Sequence, residues 1–358
     1  MKILIRGTNW IGDSIMSIPA MREVRRIFPE AHITLHTRSL TEGLFANASF
    51  LDEIVSFEKN RWPFMDVYDN SSFLREEGFD AAILFPNSFE SALTTFLAGI
   101  PVRIGYNKDV RGFLLTHPVP VPEWKHRRHE AFYYLNLVSI AGQKLLGRET
   151  VSLSAPDANL EVSEERRVEA EKVLAAAGID TLKQTVLLGV GSTNSNAKRW
   201  PAERFAQLSD QLQDTAGVNV VLIGSDGDAA AAAAVTSLVR RQPIDLVGKT
   251  TVAEAAALIS IADLVIANDM GLAHVAPSVG TKTIVIFGPT NPLTTRPFSD
   301  RAEVIRHDVP CSPCMLRECP IDHRCMTGIS PDAVMAAATR MLAEPIDEEV
   351  YETSGSIS

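Results

Sequence analysis

The sequence predicts an α/β protein built from two doubly wound parallel-sheet halves that face each other across a cleft. Short apolar runs alternate with helical patterns, which indicates a parallel sheet covered by helices on both faces. This alternation stops in an irregular stretch and then begins again. The chain of 358 residues is long enough for two domains of roughly 100–200 residues each.

The first half contains predicted strands separated by helices. An amphipathic helix, "MREVRRIFPEA", and a second helix, "SFESALTTFLAG", lie among the strands. The predicted strands are "KILIR", "HITLHT", "LDEIVSF", "FDAAILFP" and "VRIGY". After a stretch containing Pro118, Pro120 and Pro122, we expect a helix from His129 to Ala141.

The second half repeats the pattern. It begins with the helix "SEERRVEAEKVLAAAG", for which Ser163 is the predicted N-cap and Gly178 the predicted stop. The later helices are "AERFAQLSDQLQDTAG", an Ala-rich segment, "TVAEAAALISIA" and "GLAHVAPSVG", and the strands are "TVLLGVG", "NVVLIGS", "IDLVG", "DLVIAND" and "KTIVIFGPT". We therefore expect domains at 1–165 and 166–345, joined near "VSLSAPDANLEVS", and a frayed polar tail at 346–358.

Charge and hydropathy exclude some function classes. The formal net charge of -10 argues against a general nucleic-acid-binding protein, which would carry a basic balance. The first residues, "MKILIRG", run directly into a strand, so we expect no signal peptide. No apolar run reaches the ~18 residues of a membrane span. These features predict a cytoplasmic protein that could still contact a membrane surface.

Two loops of the second half have the character of anion sites. In "GVGSTNSNAKRW", the small residues Ser192 and Thr193 follow a strand, and Lys198 adds a positive charge ahead of a helix. The alternative is an ordinary solvated loop. In "IANDMGLAHVAPSVG", Asp269 ends a strand and Gly271 opens a helix, so the amides of residues 270–272 can point at an anion. Asp269 could equally be an N-cap.

Three further polar residues of the second half have open interpretations. Asp226 and Asp228 follow a strand in "IGSDGDAA", where they could bind a metal–diphosphate group, accept a ribose hydroxyl or cap a helix. His274 lies one turn into its helix, where a lone histidine is more often packed than catalytic.

The first half carries candidates for contacts with an acidic ligand. Asn87 and Ser88 end a strand, although Ser88 is also a good N-cap. Arg103, Lys108, Arg111 and the segment 125–129, "KHRRH", concentrate positive charge in an otherwise acidic chain. A run of charge is usually a solvated face, so an anionic acceptor is the second interpretation.

A lone acid stands in the first loop of the chain. Asp13 follows Gly12 in "LIRGTNWIGDSIMSIPA", and we expect it in a loop ahead of a helix that starts at Ser17 and Pro19. The spacing of "GTNWIG" is too stretched for the dinucleotide fingerprint G-x-G-x-x-G. From composition alone, Asp13 is an ordinary loop acid.

All the cysteines lie in residues 307–328, "HDVPCSPCMLRECPIDHRCMTG". Cys311 and Cys314 form a C-x₂-C pair, and Cys319 and Cys325 follow. This pattern favours a structural zinc site. Disulfides are a weaker explanation in the cytosol, and the spacing does not match a known iron–sulfur pattern.

Several segments together resemble the bacterial lipopolysaccharide heptosyltransferases of glycosyltransferase family 9. They are "RGTNWIGDSIMSIPA", "PNSFESALTTFLAGIPVRIGY", "KRWPAERF" and "NDMGLAHVAPSVGTKTIVIFGPTNP", and the resemblance runs from Met1 to about Pro292. It implies a GT-B fold with two Rossmann-like domains, the acceptor on the first and the nucleotide sugar on the second. It also implies transfer of L-glycero-D-manno-heptose from ADP-heptose to the inner-core heptose of lipopolysaccharide, with inversion and without a catalytic metal.

The resemblance also implies roles for individual residues. Asp13 matches the general base, Lys198 the lysine on the donor diphosphate, and Asp269 the acid that holds heptose hydroxyls. The remaining donor-side matches are Ser192, Thr193, Met270, Gly271, Leu272 and His274, with a ribose role for Asp226 left open. On the acceptor side the candidates are Asn87, Ser88, Arg103 and Lys108.

The resemblance also implies partners. The lipid-anchored acceptor implies peripheral contact with the cytoplasmic face of the inner membrane, and we expect no nucleic-acid partner. Three alternatives stay open: heptosyltransferase I or III with a different core acceptor, a nucleotide-sugar epimerase with the same fold, and a non-catalytic nucleotide-sugar-binding protein. The basic acceptor-side residues argue against the epimerase.

Overall fold

The computed structural model describes residues 1–59, 63–147, 156–193 and 195–344. The first half forms a six-stranded parallel sheet with the strand order β3-β2-β1-β4-β5-β6. Its strands are β1 (Lys2–Arg6), β2 (His32–Arg38), β3 (Glu53–Phe57), β4 (Ala81–Leu84), β5 (Val102–Tyr106) and β6 (His117–Val119).

The second half forms another six-stranded parallel sheet, with the order β12-β11-β10-β7-β8-β9. Its strands are β7 (Thr185–Gly189), β8 (Asn219–Leu222), β9 (Ile244–Asp245), β10 (Leu264–Asn268), β11 (Thr283–Phe287) and β12 (Ala302–Arg306). Counted from its own first strand, this sheet has the same order as the first, which is that of a Rossmann domain. The order reverses between β1 and β4 and between β7 and β10, and ligands bind beyond the carboxyl ends of strands at such points.

Helices flank both sheets. The helices of the first half are α1 (Ile11–Met16), α2 (Ile18–Ile27), α3 (Ser39–Glu42), α4 (Pro63–Glu77), α5 (Phe89–Leu97) and α6 (Glu130–Leu146). Those of the second half are α7 (Glu164–Ala176), α8 (Ala202–Gln211), α9 (Ala229–Thr236), α10 (Val252–Ser260), α11 (Gly271–Ser278), α12 (Pro292–Thr295), α13 (Arg324–Thr327) and α14 (Pro331–Ala343).

The two halves touch through the helices that follow their central strands β1 and β10. Helix α1 packs on α11, and one apolar core includes buried residues from both halves. Three hydrogen bonds add to this contact. Arg166 Nη1 donates to Gly43 O at 2.8 Å, Leu160 N donates to Ser278 O at 2.7 Å, and His129 Nε2 donates to Arg296 O at 2.7 Å. The contact brings the carboxyl ends of β1 and β10 toward one cleft.

The predicted α/β class, the two parallel sheets and the strands named from the sequence are confirmed. The sequence did not predict the edge strands β6 and β12 or the helices α3, α4, α12, α13 and α14. The position expected for Asp13 was wrong, because Asp13 is the third residue of α1 and not part of a loop. The proposed boundary at 165–166 falls in the first turn of α7. Residues 148–155 of the predicted linker region and the tail 346–358 lie outside the described residues.

Candidate functional site

The partly buried carboxyl group of Asp13 lies where charged groups of both halves act on it. Burial raises the pKa of Asp13 to about 6, and the negative charges of Glu130 and Asp269 add to this rise. The positive charges of Lys125 and Lys198 oppose it. Asp13 is thus a carboxylate near neutral pH, but one that takes up a proton more readily than an exposed acid does.

Lys198 and Asp269 form an ion pair in the second half. Lys198 Nζ lies 2.9 Å from Asp269 Oδ2, and the carboxylate side chain is only 5% exposed. Thr290 Oγ1 donates to the same Oδ2 atom at 2.7 Å. Lys198 ends a 3₁₀ turn, Asn196–Lys198, while Asp269 directly follows β10. The ion pair therefore joins loops from the two strands at which the sheet order reverses.

Asn268 fixes the backbone around the lysine. Its fully buried amide accepts from Trp200 N at 3.0 Å and donates to the carbonyls of Val190 and Gly191 at 3.0 and 3.1 Å. One side chain at the end of β10 thus fastens both ends of the loop that follows β7. Sequence reasoning missed Asn268 and Thr290, because each acts on a loop distant along the chain.

The small residues of this loop have different surroundings. Ser192 is buried, and its carbonyl accepts from Arg199 Nη2 at 3.1 Å. Thr193 is exposed and lies beside Gly227. The loop therefore carries one exposed and one buried hydroxyl residue, and Lys198 at its end pairs with Asp269.

Two glycines allow α1 and α11 to approach closely. A Cβ atom on Gly271 would lie 2.9 Å from Ile11 Cβ, and one on Gly12 would lie 3.0 Å from His274 Cδ2. Met270 is the N-cap residue of α11, and Leu272 is buried in its first turn. The predicted turn residues of the second half therefore lie against the helix that carries the lone acid of the first half.

His274 is buried beside this contact. Burial lowers its pKa to about 4; Asp269 opposes this change, whereas His129 and Lys198 add to it. His274 is therefore neutral at pH 7. Its Nδ1 atom is buried and has no hydrogen-bonding partner within the described part of the chain. A neutral imidazole with a free ring nitrogen can bind a polar group of a ligand.

The two acids after β8 have separate positions. Asp228 is buried, and its Oδ2 accepts from Ser225 N at 3.0 Å and Ser225 Oγ at 2.8 Å, which forms a capping box. Asp226 is exposed and lies against Gly248. The structure therefore favours helix capping for Asp228 and leaves Asp226 accessible.

Asn87 and Ser88 lie at the carboxyl end of β4, as predicted. Ser88 is the N-cap of α5, and its Oγ accepts from Ser91 N at 3.3 Å, so this hydroxyl serves the helix. Asn87 Oδ1 accepts from Tyr133 Oη at 3.3 Å. Both side chains are partly exposed at the edge of the sheet that carries Asp13.

Arg103 and Arg111 serve the fold more than the cleft. Arg103 lies at the amino end of β5, away from the other candidates, and its guanidinium donates to the carbonyls of Leu114 and Ile100. Arg111 is fully buried and donates to Tyr106 O at 2.9 Å and Ser91 Oγ at 3.0 Å. Lys108, by contrast, is exposed beyond the carboxyl end of β5. The structure thus does not bring Arg103 to the site.

A second acid beside Asp13 was not singled out from the sequence. Glu130 begins α6, and both of its carboxylate oxygens accept from Lys125 Nζ at 2.6 Å. Lys125 also lies 3.6 Å from the centre of the Tyr133 ring. Lys125, the first residue of "KHRRH", therefore forms a largely buried ion pair with Glu130. The sequence alone indicated a solvated run of charge.

The structure does not support the expected zinc site. Cys311 and Cys314 are exposed, Cys319 is partly exposed, and Cys325 is buried. Within residues 1–59, 63–147, 156–193 and 195–344, no three His, Cys, Asp or Glu side chains are placed so that they could hold a metal ion. Cys325 packs inward, where a Cβ atom on Gly288 would lie 3.2 Å from its Sγ.

Comparisons with known proteins agree with this architecture. Residues 71–324 match the model of glycosyltransferase family 9 (heptosyltransferase). Lipopolysaccharide heptosyltransferase 2 of Escherichia coli (strain K12) is 30% identical over 319 residues, covering 86% of this chain and 88% of the relative. Lipooligosaccharide heptosyltransferase 2 of Haemophilus influenzae is 29% identical over 320 residues, covering 86% of this chain and 88% of the relative.

A solved structure extends the comparison to the fold. The structure of E. coli ADP-heptose lps heptosyltransferase II superimposes with a TM-score of 0.80 at 27% identity, covering 96% of this chain and 98% of that one. The two Rossmann-like halves are thus those of a GT-B fold. The chain belongs to glycosyltransferase family 9, the heptosyltransferases.

Proposed function

We propose that this heptosyltransferase moves L-glycero-D-manno-heptose from ADP-heptose to the inner-core heptose of lipopolysaccharide. The similarity to relatives named heptosyltransferase 2 supports this acceptor over those of other family members. The domain at 1–165 binds the acceptor, and the domain at 166–345 binds the nucleotide sugar.

One observation carries the proposal: Asp13 faces the charges of Lys198 and Asp269 across the contact between the two halves. Inverting transfer requires a base beside the acceptor hydroxyl. A carboxylate whose pKa is about 6 is a better base near neutral pH than an exposed aspartate, and a positioned base contributes about 10²–10⁴-fold to the rate. Asp13 removes the proton of the acceptor hydroxyl as that oxygen attacks the heptose.

The second half holds the donor. Lys198 places a positive charge where ADP leaves, together with the amides that open α11, and stabilises the negative charge that develops there. Ser192 and Thr193 contribute to the diphosphate loop. Asp269, oriented by Thr290, accepts from heptose hydroxyls.

Four further polar groups complete the binding of the substrates. Asp226, exposed beyond β8, accepts from the ribose, and His274 Nδ1 binds a polar group on the donor side. On the acceptor side, Asn87 and Lys108 lie at the carboxyl ends of β4 and β5, where the acidic inner core approaches. A lysine is suited to the phosphates of such an acceptor.

Exposed aromatic residues of the first half support contact with the membrane that holds the acceptor. Phe64 and Tyr68 on α4 are 69% and 71% exposed, and Phe113 is 72% exposed beside Phe89. Aromatic side chains favour the interface between lipid and water. Within the described part of the chain, no helix has the length and apolar character needed to cross a membrane. We therefore propose peripheral binding of a cytoplasmic enzyme to the inner membrane through this face.

Co-sedimentation with vesicles of phosphatidylethanolamine and phosphatidylglycerol tests this contact. The double variant Phe64→Ser/Phe113→Ser should bind at least about tenfold more weakly than the wild type, because two large apolar side chains are lost. Leu182→Ser is the matched control, since Leu182 is 96% exposed in the other half. Equal binding of all three proteins would exclude this face as the membrane contact.

The activity itself is tested by ADP release from ADP-heptose with a panel of truncated lipopolysaccharides. Release should require a core that already carries one heptose, and the product should contain a second. Transfer to heptose-free core would identify a heptosyltransferase I activity instead. ADP-heptose binding without transfer to any core would favour the non-catalytic binding protein.

A further inference from the structure

We propose that the cysteine-rich segment, residues 307–328, is a clasp that positions Lys198 for the donor. The role of Lys198 in this inference rests on the proposed function. The clasp connects two parts of the site: the lysine turn, residues 195–198, and the strand end that leads to Thr290.

The clasp first contacts the lysine turn. The carbonyl of Arg317 accepts from Ala197 N at 3.0 Å and from Ser195 Oγ at 3.1 Å. Glu318 Oε1 accepts from the side chain of Asn196 at 2.8 Å. These contacts bind the turn over three consecutive residues, directly before the catalytic lysine.

His323 completes this first set of contacts. Its Nε2 lies 2.6 Å from the carbonyl of Ala197, which can only accept, so the imidazole carries its proton on Nε2. Ala197 therefore has both its amide and its carbonyl bonded to the clasp. His323 itself has a left-handed backbone conformation, with φ of 56°, at the start of α13.

The clasp also contacts the segment that orients Asp269. Ser312 Oγ donates to Gly288 O at 2.6 Å, and the amides of Cys314 and Met315 donate to Pro289 O at 3.0 and 2.8 Å. Pro289 directly precedes Thr290, whose hydroxyl binds Asp269.

Tight packing fixes this second contact. A Cβ atom on Gly288 would lie 2.3 Å from Met326 Sδ and 3.2 Å from Cys325 Sγ, so the clasp leaves no room for a side chain there. One segment therefore bonds both to the turn that directly precedes Lys198 and to Pro289, which directly precedes the Thr290 that binds Asp269. A shift of the clasp would move the Lys198 ammonium group relative to the Asp269 carboxylate, and the affinity for the donor would change.

Two variants of one residue separate positioning from folding. His323→Asn keeps a residue that tolerates the left-handed conformation, but its amide is too short to reach Ala197 O. His323→Gln places an amide nitrogen at the distance of the imidazole Nε2.

Two variants of other residues complete the set. Glu318→Ala removes a different contact to the lysine turn. Ile321→Ala, at a residue 62% exposed on the same segment, is the control.

We measure KM for ADP-heptose and for the acceptor, the Kd of ADP by calorimetry, and the thermal midpoint. His323→Asn and Glu318→Ala should raise the donor KM and the ADP Kd by about three- to tenfold, the effect of one lost hydrogen bond. The acceptor KM should not change, His323→Gln should recover most of the loss, and Ile321→Ala should match the wild type.

Unchanged donor KM and ADP Kd in both His323→Asn and Glu318→Ala would overturn the proposal. An equal loss for both substrates with a lowered thermal midpoint would also overturn it, because the clasp would then serve folding alone. A wild-type protein that binds ADP but transfers no heptose refutes the proposed function, while the ADP Kd values of the variants still test the clasp.

Discussion

Lys198 Nζ lies 2.9 Å from Asp269 Oδ2, although the two residues are 71 positions apart in the chain. The loop after β7 and the loop after β10 meet because these strands are neighbours at the reversal point of the second sheet. The fold thus places a cation and an acid together where a Rossmann domain binds its ligand. Thr290, after β11, then fixes the orientation of the acid.

Replacing Lys198 should abolish most of the transfer. We expect Lys198→Met to lower kcat/KM for ADP-heptose by about 10²–10³-fold, the cost of removing one group that stabilises developing charge. Lys172→Met is the control, because Lys172 forms an exposed ion pair with Glu169 on α7. Steady-state rates measure both, and a Lys198→Met enzyme with the wild-type kcat/KM would exclude leaving-group stabilisation by this lysine.

Thr290 should matter for the donor and little for folding. Thr290→Val keeps the shape but removes the hydrogen bond to Asp269, so we expect the donor KM to rise about three- to tenfold. Thr294→Val is a matched control, since the Thr294 hydroxyl donates to Asn291 O, a backbone carbonyl of its own turn. If both valine variants have the same donor KM, the hydroxyl of Thr290 does not orient Asp269.

Glu130 should raise the pH at which protonation of Asp13 stops the reaction. Its negative charge raises the pKa of Asp13, so Glu130→Gln should lower that pKa. The acid limb of kcat/KM, near pH 6 in the wild type, should move down by about 0.5 unit or more. Glu77→Gln is the control, because Glu77 pairs with Lys2 at the amino end of β1, the end of the strand away from Asp13. If the acid limb of kcat/KM stays at the same pH in Glu130→Gln, or moves to higher pH, Glu130 does not raise the pKa of Asp13.

The parts of the fold that the sequence predicted are those with strong local patterns. Strands such as β1 and β10 are continuous apolar runs between helices, so both sheets could be predicted. The edge strand β6 contains Pro118. An edge strand tolerates proline, but in the sequence a proline indicates irregular structure, so this strand was missed. The helix α4 has little apolar periodicity, since "DVYDNSSF" spreads polar and apolar side chains around it.

The same distinction applies to the site. Asp13, Lys198 and Asp269 stand in sequence segments that resemble a known family, so they could be named in advance. Glu130 and Thr290 become visible only when separate parts of the chain meet. Glu130 lies outside the segments that carry the resemblance, and Thr290 lies inside one of them, where the sequence gives no sign of its bond to Asp269. Four cysteines suggested a metal, but the segment that carries them is held by hydrogen bonds and by the packing of Cys325.

Asp13 should cost the folded protein stability at the pH where it acts. Its pKa is higher in the folded than in the unfolded chain, so its contribution is favourable below about pH 4 and is lost as the pH rises through about 6. Asp13→Asn should therefore increase the free energy of unfolding at pH 7.5 by about 1–2 kcal/mol, given its partial exposure. This gain should disappear near pH 4. Denaturant unfolding at both pH values measures it, and a variant less stable at pH 7.5 contradicts the raised pKa.

The most direct test of Asp13 as the base is single-turnover transfer by Asp13→Asn with ADP-heptose and a heptose-bearing core, beside calorimetry with ADP. We expect the transfer rate at pH 7.5 to fall by about 10²–10⁴-fold. The ADP Kd should stay within about twofold of the wild type, because the donor is held by the other half. Transfer at the wild-type rate by a variant that binds ADP normally would show that Asp13 is not the base.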